Sequence, residues 1–263
     1  MSKTILITGA TDGIGLETAR KLASEGHVLL LHGRSAEKLQ KVVAKLSKLT
    51  TVESYVTDLS ELDAVETFAQ EVKNKYQSLD ALINNAGVLR MSNATLPNGH
   101  DVRFVVNTLA PYLLTKSLLP LLGAHGRVIN LSSAAQAPVN LEALKGHAGE
   151  MDSMDVYSQS KLAITMWSRA MANALGSDGP AIIAVNPGSL LGSKMVKEGF
   201  GVSGKDLGIG ADILVRAALS DEFADATGKY FDNDLGHLAN PHPDALDPAK
   251  CQQIIDVMEE VIG

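Results

Sequence analysis

The sequence predicts an α/β fold in which one doubly wound, parallel sheet of about seven strands carries helices on both faces, with residues 1–263 forming a single domain. Two observations point there. Short apolar runs of strand length alternate with longer stretches of helical periodicity, the pattern of strand–helix–strand units whose sheet is parallel. Between the first such run and the first helix lies a glycine-rich turn, Thr8-Gly9-Ala10-Thr11-Asp12-Gly13-Ile14-Gly15. Strand, glycines and helix in that order bring backbone N–H groups and a helix N-terminus to a pyrophosphate, as in Rossmann-type folds.

The elements follow in order. Residues 3–8 read as the first strand and 16–24 as the first helix, with Gly9 making the tight turn, Gly13 admitting the phosphates and Gly15 allowing close packing. Residues 28–32 form a second strand, followed by Gly33-Arg34-Ser35, where Ser35 is the expected N-cap of a helix to about residue 47. An acid at the end of this strand binds the adenosine ribose, whereas an Arg accommodates a 2′-phosphate. The acid is missing and Arg34 is present, so NADP is expected ahead of NAD. Residues 51–56 form a third strand ending at Asp58 and Leu59, with Asp58 placed to meet an adenine amino group or to cap a loop. Ser60 and Asp63 are expected to form a capping box for a helix to about residue 76. A fourth strand, 81–83, runs into Asn84-Asn85-Ala86-Gly87, small and polar enough to pass beneath a cofactor.

A long helix over about 101–122 contains Asn107 and Pro111. Proline has no N–H, so the carbonyl of Asn107 loses its helical donor. It is left to a kink or to a held water. Residues 125–131 form the fifth strand and deliver Ser132 and Ser133. A connection over 134–152 follows, longer than most loops of compact domains. Residues 153–169 then read as a helix without Pro or Gly. On it Tyr157 and Lys161 lie four apart and project from one side, and a cation beside a phenol favours the phenolate. A sixth strand, 181–185, leads to Asn186-Pro187-Gly188. The glycine-dotted stretch 189–210, with Leu190, Leu191, Met195 and Phe200, is read as a flap over an apolar pocket or as a surface loop. A helix near 211–219, a strand over 229–231, a tail with Pro241, Pro243 and Pro248, and a final helix over about 250–261 complete the chain.

Charge and composition narrow the function. The net charge of −7 disfavours nucleic acid as a partner. A lone cysteine, Cys251, excludes an internal disulfide, and no Cys/His grouping has zinc-ligand spacing, so no metal is expected and a reducing cytoplasm fits. No signal-peptide pattern precedes the first strand and no apolar run is read as long enough to cross a bilayer, so no membrane is expected as a partner.

Taken together, the Thr8–Gly15 turn, Asp58, Asn84-Asn85-Ala86-Gly87, Asn107, Ser133, Tyr157 with Lys161, and Pro187-Gly188 resemble the short-chain dehydrogenase/reductase family in its own order. The resemblance implies that Tyr157 exchanges a proton with the substrate oxygen and that Ser133, rather than Ser132, hydrogen-bonds it. It implies that Lys161 binds the nicotinamide ribose and lowers the Tyr157 pKa, and that the Asn107 carbonyl holds a water of a proton relay. Gly9, Thr11, Asp12, Gly13, Ile14, Gly15, Arg34, Asp58, Leu59, Asn85, Ala86, Gly87, Pro187 and Gly188 would line the cofactor. Twenty-three residues separate Ser133 from Tyr157, more than in the commonest members. This insert is similar to the retinol dehydrogenase and protochlorophyllide reductase branch. It would cover part of the surface through which the commonest members form tetramers, leaving a homodimer or a monomer. Asp12 departs from NADP-preferring members, which often carry a basic residue there.

The expected activity is thus hydride transfer between a nicotinamide and a small-molecule alcohol or carbonyl substrate, small to medium in size and partly apolar. The alternatives are a regulatory protein that senses NADP without turning it over, and a structural or partner-binding protein on the same fold.

Overall fold

The computed structural model describes residues 1–147, 149 and 151–263. The chain runs β1 (Thr4–Ile7), α1 (Gly13–Ser24), β2 (Val28–Gly33), α2 (Ala36–Leu46), β3 (Val52–Val56), α3 (Leu62–Lys75) and β4 (Ala81–Asn84). It continues with α4 (Val102–Phe104), a π turn (Val105–Leu109), α5 (Ala110–Leu122), β5 (Arg127–Leu131), α6 (Leu141–Leu144), α7 (Ser153–Leu175) and β6 (Ala181–Asn186). Then come α8 (Lys194–Phe200), α9 (Leu207–Leu219), β7 (Tyr230–Asp232), β8 (His237–Ala239) and α10 (Pro248–Ile262).

The strands form one sheet in the order β3-β2-β1-β4-β5-β6-β7-β8. The pairings from β3 through β7 are parallel. The central strands read as near-continuous apolar runs because both faces are covered. Side chains alternate between the faces. Leu6, Leu30, Leu82, Val128 and Ile182 join the core beneath α3, α5, α7 and α10. Ile5, Ile7, Leu29, Leu31, Ile83, Ile129 and Ile183 join the opposite core beneath α1, α2 and α9. Between β1 and β4 the winding reverses, which opens a crevice at the strands' carboxyl ends.

A polar seam crosses the first core. The Asn84 amide donates to Asn130 Oδ1 at 2.8 Å and Thr115 Oγ1 at 3.0 Å, and the Asn130 amide donates to Ser168 Oγ at 2.7 Å. The seam joins β4 and β5 to α5 and α7 through buried side chains.

Several expectations are corrected. The sheet has eight strands rather than seven, because β8, only three residues long, returns antiparallel on β7. Ser35 caps α2 as expected, accepting from the Lys38 N–H at 3.3 Å. The Ser60–Asp63 box does not form, and the N-cap of α3 is Glu61, which makes no side-chain capping bond. Ser60 instead gives its N–H and hydroxyl to Asp58 Oδ1 at 3.0 and 2.8 Å, since an ionised carboxylate two residues back is the stronger acceptor. The helix expected near 211 already begins at Leu207, where Asp206 caps the Gly208 N–H at 2.9 Å. Val102–Leu122 is, by length and composition, apolar enough to cross a bilayer, contrary to the expectation for this chain. It is mostly buried here because it serves as a core helix between sheet and neighbours.

The 134–152 insert contains α6, and Asn140 caps it, accepting from Glu142 and Ala143. Residues 148 and 150 of the insert, and the side chain of Phe200, lie outside the described residues. The tail lays α10 against α7 and α6. Glu259 receives the Tyr112 hydroxyl and the Lys116 ammonium, and Lys145 pairs with Glu260 at 2.8 Å.

Candidate active site

The cleft at the carboxyl ends of the strands measures about 680 Å³, within the range of small-molecule and cofactor sites. Its floor is the glycine turn. Gly9 has φ +68°, and a Cβ there would lie 2.9 Å from the Ala86 backbone. At Gly15 a Cβ would strike the Asn85 amide at 2.3 Å, so only hydrogen fits either position. Asn85 closes the turn by donating to the carbonyls of Thr8 and Gly9 at 2.8 and 3.1 Å, and Thr8 Oγ1 accepts from the Ala86 N–H. At Gly13, which lines the cleft, an added Cβ would make only an ordinary contact with Ser193 Cβ at 3.6 Å, and it is the φ of +55° that favours glycine. Asp12 caps α1, accepting from the Gly13 N–H at 2.8 Å. Its acid therefore complements the helix N-terminus. A cleft above a helix N-terminus, its floor pinched close by glycines at 9 and 15, fits the pyrophosphate of a dinucleotide.

Arg34, Ser35 and Lys38 line the outer end of the cleft, with Asp58 and Leu59 across from them. Asp58 both holds the Ser60 turn and faces the cleft. His32 ties the glycine turn to the loop after β3. Its Nδ1 accepts from the Gly9 N–H at 3.2 Å and its Nε2 donates to the Thr57 carbonyl at 3.0 Å. Burial lowers its pKa and keeps the ring neutral, as both bonds require.

Tyr157 and Lys161 face the inner end from α7. The Lys161 Nζ lies 5.6 Å from the Tyr157 ring centroid and donates to the Leu131 carbonyl at 2.6 Å. Burial brings its pKa down to about 8. Burial also raises the Tyr157 phenol, and the nearby Ser133 hydroxyl works against that rise. In the cofactor-free protein the net direction for the phenol is upward, burial being the largest cause, while the Lys161 ammonium is held by a backbone carbonyl. Ser133 Oγ accepts from the Ala135 N–H at 3.1 Å, which leaves its proton to point outward. Ser132 is occupied instead, its hydroxyl bonded to the Lys161 carbonyl at 3.1 Å and Thr165 Oγ1 at 2.7 Å.

Asn107 stands behind the cleft wall. Its side chain accepts from the Val88 N–H at 2.8 Å and donates to the Val88 carbonyl and Ser160 Oγ, both at 2.9 Å. The Ser160 hydroxyl donates to the Tyr157 carbonyl at 2.7 Å, so the chain after β4 is tied to α7. The expected disturbance at Pro111 takes the form of the π turn, in which the Ala110 N–H reaches back five residues to Val105. Pro111 has no N–H for the carbonyl of either residue 106 or 107.

The 189–210 stretch covers the inner end and holds a helix of its own. Ser193, Lys194, Met195 and Glu198 line the cleft beside Val88, Leu89, Arg90 and Met91. A Cβ on Gly87 would be 3.5 Å from Lys161 Nζ and 3.8 Å from Met195 Cε, so Met195 reaches over the lysine. The base of this flap is latched. Asp234 accepts from the Ser189 N–H at 2.9 Å, from the Ser189 hydroxyl and from the Asn186 amide. Burial opposes its ionisation, yet these donors outweigh burial and hold the carboxyl below its usual range. Leu190, next to the latch, has φ +56°, the left-handed region that leucine avoids.

Of the residues singled out in the sequence, Gly9, Thr11, Asp12, Gly13, Ile14, Arg34, Asp58, Leu59, Asn85, Ala86, Gly87, Tyr157, Lys161 and Pro187 line the cleft. Gly15, Asn107, Ser133 and Gly188 are not among its lining residues, whereas Ser132 is. His32, Lys38 and Asp234 were missed. Lys38 lies four residues beyond Arg34, in the first turn of α2, a spacing that carries a signal. The pairings of His32 and Asp234 are long-range and carry none.

Residues 3–200 match the sequence profile of the family described as short chain dehydrogenase. Retinol dehydrogenase 13 from Homo sapiens is 32% identical over an alignment covering 99% of this chain and 85% of that protein. A solved structure of an uncharacterized protein from Mycobacterium paratuberculosis superposes with a TM-score of 0.83 at 26% identity, covering 99% of this chain and 93% of that one. A short chain dehydrogenase from Shigella flexneri, solved in complex with NADP, superposes with a TM-score of 0.69 at 26% identity, covering 88% and 97%.

Proposed function

This chain belongs to the short-chain dehydrogenase family and is an NAD(P)-dependent oxidoreductase acting on CH–OH groups; from that premise we propose that it prefers NADP and exchanges hydride with a partly apolar alcohol or carbonyl through Tyr157, Ser133 and Lys161. The observation that carries this reading is the placement of Tyr157 and Lys161, one helical turn apart on α7, in the wall of a dinucleotide-sized cleft, with the Ser132–Ser133 pair delivered there by the end of β5.

When bound, the nicotinamide supplies or accepts the hydride. In the direction of reduction, Tyr157 keeps its proton through burial and delivers it to the substrate oxygen. Ser133 stabilises the charge that grows on that oxygen, its hydroxyl polarised by the Ala135 N–H. Lys161, held by the Leu131 carbonyl, supplies a fixed positive charge beside the phenol and a donor to the ribose. Pro111 cannot donate to the carbonyl of residue 106 or 107, so either is an acceptor that a water can meet.

Arg34, Ser35 and Lys38 support the NADP preference, because an Arg, a Lys and a helix N-cap converge where a 2′-phosphate lies. Val88, Leu89, Met91 and Met195 support an apolar substrate. The regulatory alternative is not favoured, since sensing requires no phenol and buried lysine side by side in the cleft. We place the protein in the cytoplasm as a homodimer or a monomer, to be checked by cell fractionation and light scattering.

Tyr157→Phe is expected to lower turnover by about 10²–10⁴-fold. NADPH affinity should stay within about twofold of the unmodified protein, because the ring and Lys161 remain. Nicotinamide absorbance and fluorescence titration measure the two, and equal turnover in both proteins overturns the mechanism.

A further inference from the structure

We propose that Tyr230 and Gln136 are positioning residues for Ser133, gripping its main-chain carbonyl so that its hydroxyl is held in one orientation just beyond β5. This rests on the reading of Ser133 as the hydroxyl that meets the substrate oxygen.

Ser133 stands two residues beyond the end of β5, and the last ladder bond nearby belongs to the Ser132 N–H, donated to Val185 at 2.9 Å. Sheet pairing therefore stops short of the residue whose orientation matters most. Two side chains take over. The Tyr230 hydroxyl donates to the Ser133 carbonyl at 3.2 Å, and the Gln136 amide donates to the same oxygen at 3.0 Å. The Gln136 amide also lies 3.5 Å from Ser132 Oγ. The Gln136 carbonyl accepts the His242 N–H at 2.9 Å, which fixes the amide with its NH₂ toward Ser133.

The three anchors come from separate parts of the chain. Tyr230 is on β7, Gln136 opens the insert after β5, and His242 lies in the proline-dotted tail. Tyr230 is buried, and burial together with Asp232 and Asp234 raises its phenol. It thus remains a donor throughout the working pH range. With its carbonyl gripped and Oγ bonded to the Ala135 N–H, Ser133 has little freedom to turn. Preorganisation of this kind matters because a small misplacement of a reacting group is costly. The tail and the insert are therefore parts of the active site's support.

The test is a double-mutant cycle on the full chain. The probe is NADPH with the member of a straight-chain aldehyde series, butanal to dodecanal, that the unmodified protein reduces fastest. Ser133→Ala is expected to lower kcat by about 100-fold. Tyr230→Phe and Gln136→Leu should each lower kcat by about tenfold with the KM for NADPH within about twofold. In the Ser133→Ala background neither should cost more than about twofold further, because nothing is left to position. Tyr230→Phe keeps the ring in the core, and a melting temperature close to that of the unmodified protein excludes unfolding as the cause. Losses that multiply with Ser133→Ala, or single variants with unchanged kcat, overturn the inference while leaving the catalytic serine in place. A neutral Ser133→Ala, or no aldehyde reduced, overturns the functional reading and the inference with it.

Discussion

At the scale of single residues, Lys161 sets chemistry against stability. It is 4% exposed, and its one described bond is to a neutral carbonyl, so burial lowers its pKa to about 8. In the unfolded chain a lysine titrates near about 10.4. Between those values the unfolded chain holds a proton that the folded chain has released, so stability rises with pH across that window. Below about pH 8 the folded protein bears the whole cost, on the order of 3 kcal/mol. Lys161→Met should therefore raise the melting temperature of the cofactor-free protein at about pH 7, lose that advantage toward about pH 10, and abolish turnover. Thermal melts at the two pH values check this, and a variant less stable at the lower pH would show that the Leu131 bond outweighs burial. The Tyr157–Lys161 pair was legible in the sequence because helical spacing alone puts both on one side. What the phenol feels was not legible, since Ser133 and the wall of the cleft arrive from other strands. For the same reason His32, which reads as one more strand residue, gave no sign that it ties the glycine turn to the loop after β3.

The elements show where local pattern competes with longer reach. Ser60 and Asp63 have capping-box spacing, yet Asp58 takes the Ser60 donors first. The strand β8 is too short to show a period, and α8 hides among glycines that suggest a loop. Pro111 did announce a break in helical bonding, though not that a π turn would absorb it. The flap depends on contacts invisible to any window of sequence, since Ser189 and Asn186 meet Asp234 from beyond β7. Hydrogen bonds to a charged group contribute roughly 1.5–3 kcal/mol each. Asp234→Ala should therefore loosen the segment between Gly188 and Asp206. We expect trypsin cleavage at Lys194, Lys197 or Lys205 to speed up by about tenfold or more, and the KM for NADPH to rise while the protein stays folded. Unchanged digestion would show that the Leu191–Lys205 bridge suffices to hold the flap.

Across the whole molecule, the parallel sheet was readable because each central strand is a buried apolar run closed by a small or polar residue. The seam from Asn84 through Asn130 to Ser168 was not, because its partners lie far apart in sequence. A ligand held by the folded state alone stabilises it by about 2.7 kcal/mol at 100 times its Kd. For a chain of this length that is a rise of about 5–10 °C. NADP⁺ should give a larger rise than NAD⁺ at equal concentration, and Arg34→Ala should erase the difference, which thermal-shift titrations will show. Equal shifts in the unmodified protein would remove the preference. The long helix α7 carries both Tyr157 and Lys161 on one unbroken rod, whereas the lid above them hangs from a distant hairpin. Selection of the guest and conversion of the guest are thereby inscribed on different stretches of chain. Descent can rewrite the former by exchanging a lid, with the reactor beneath inherited intact.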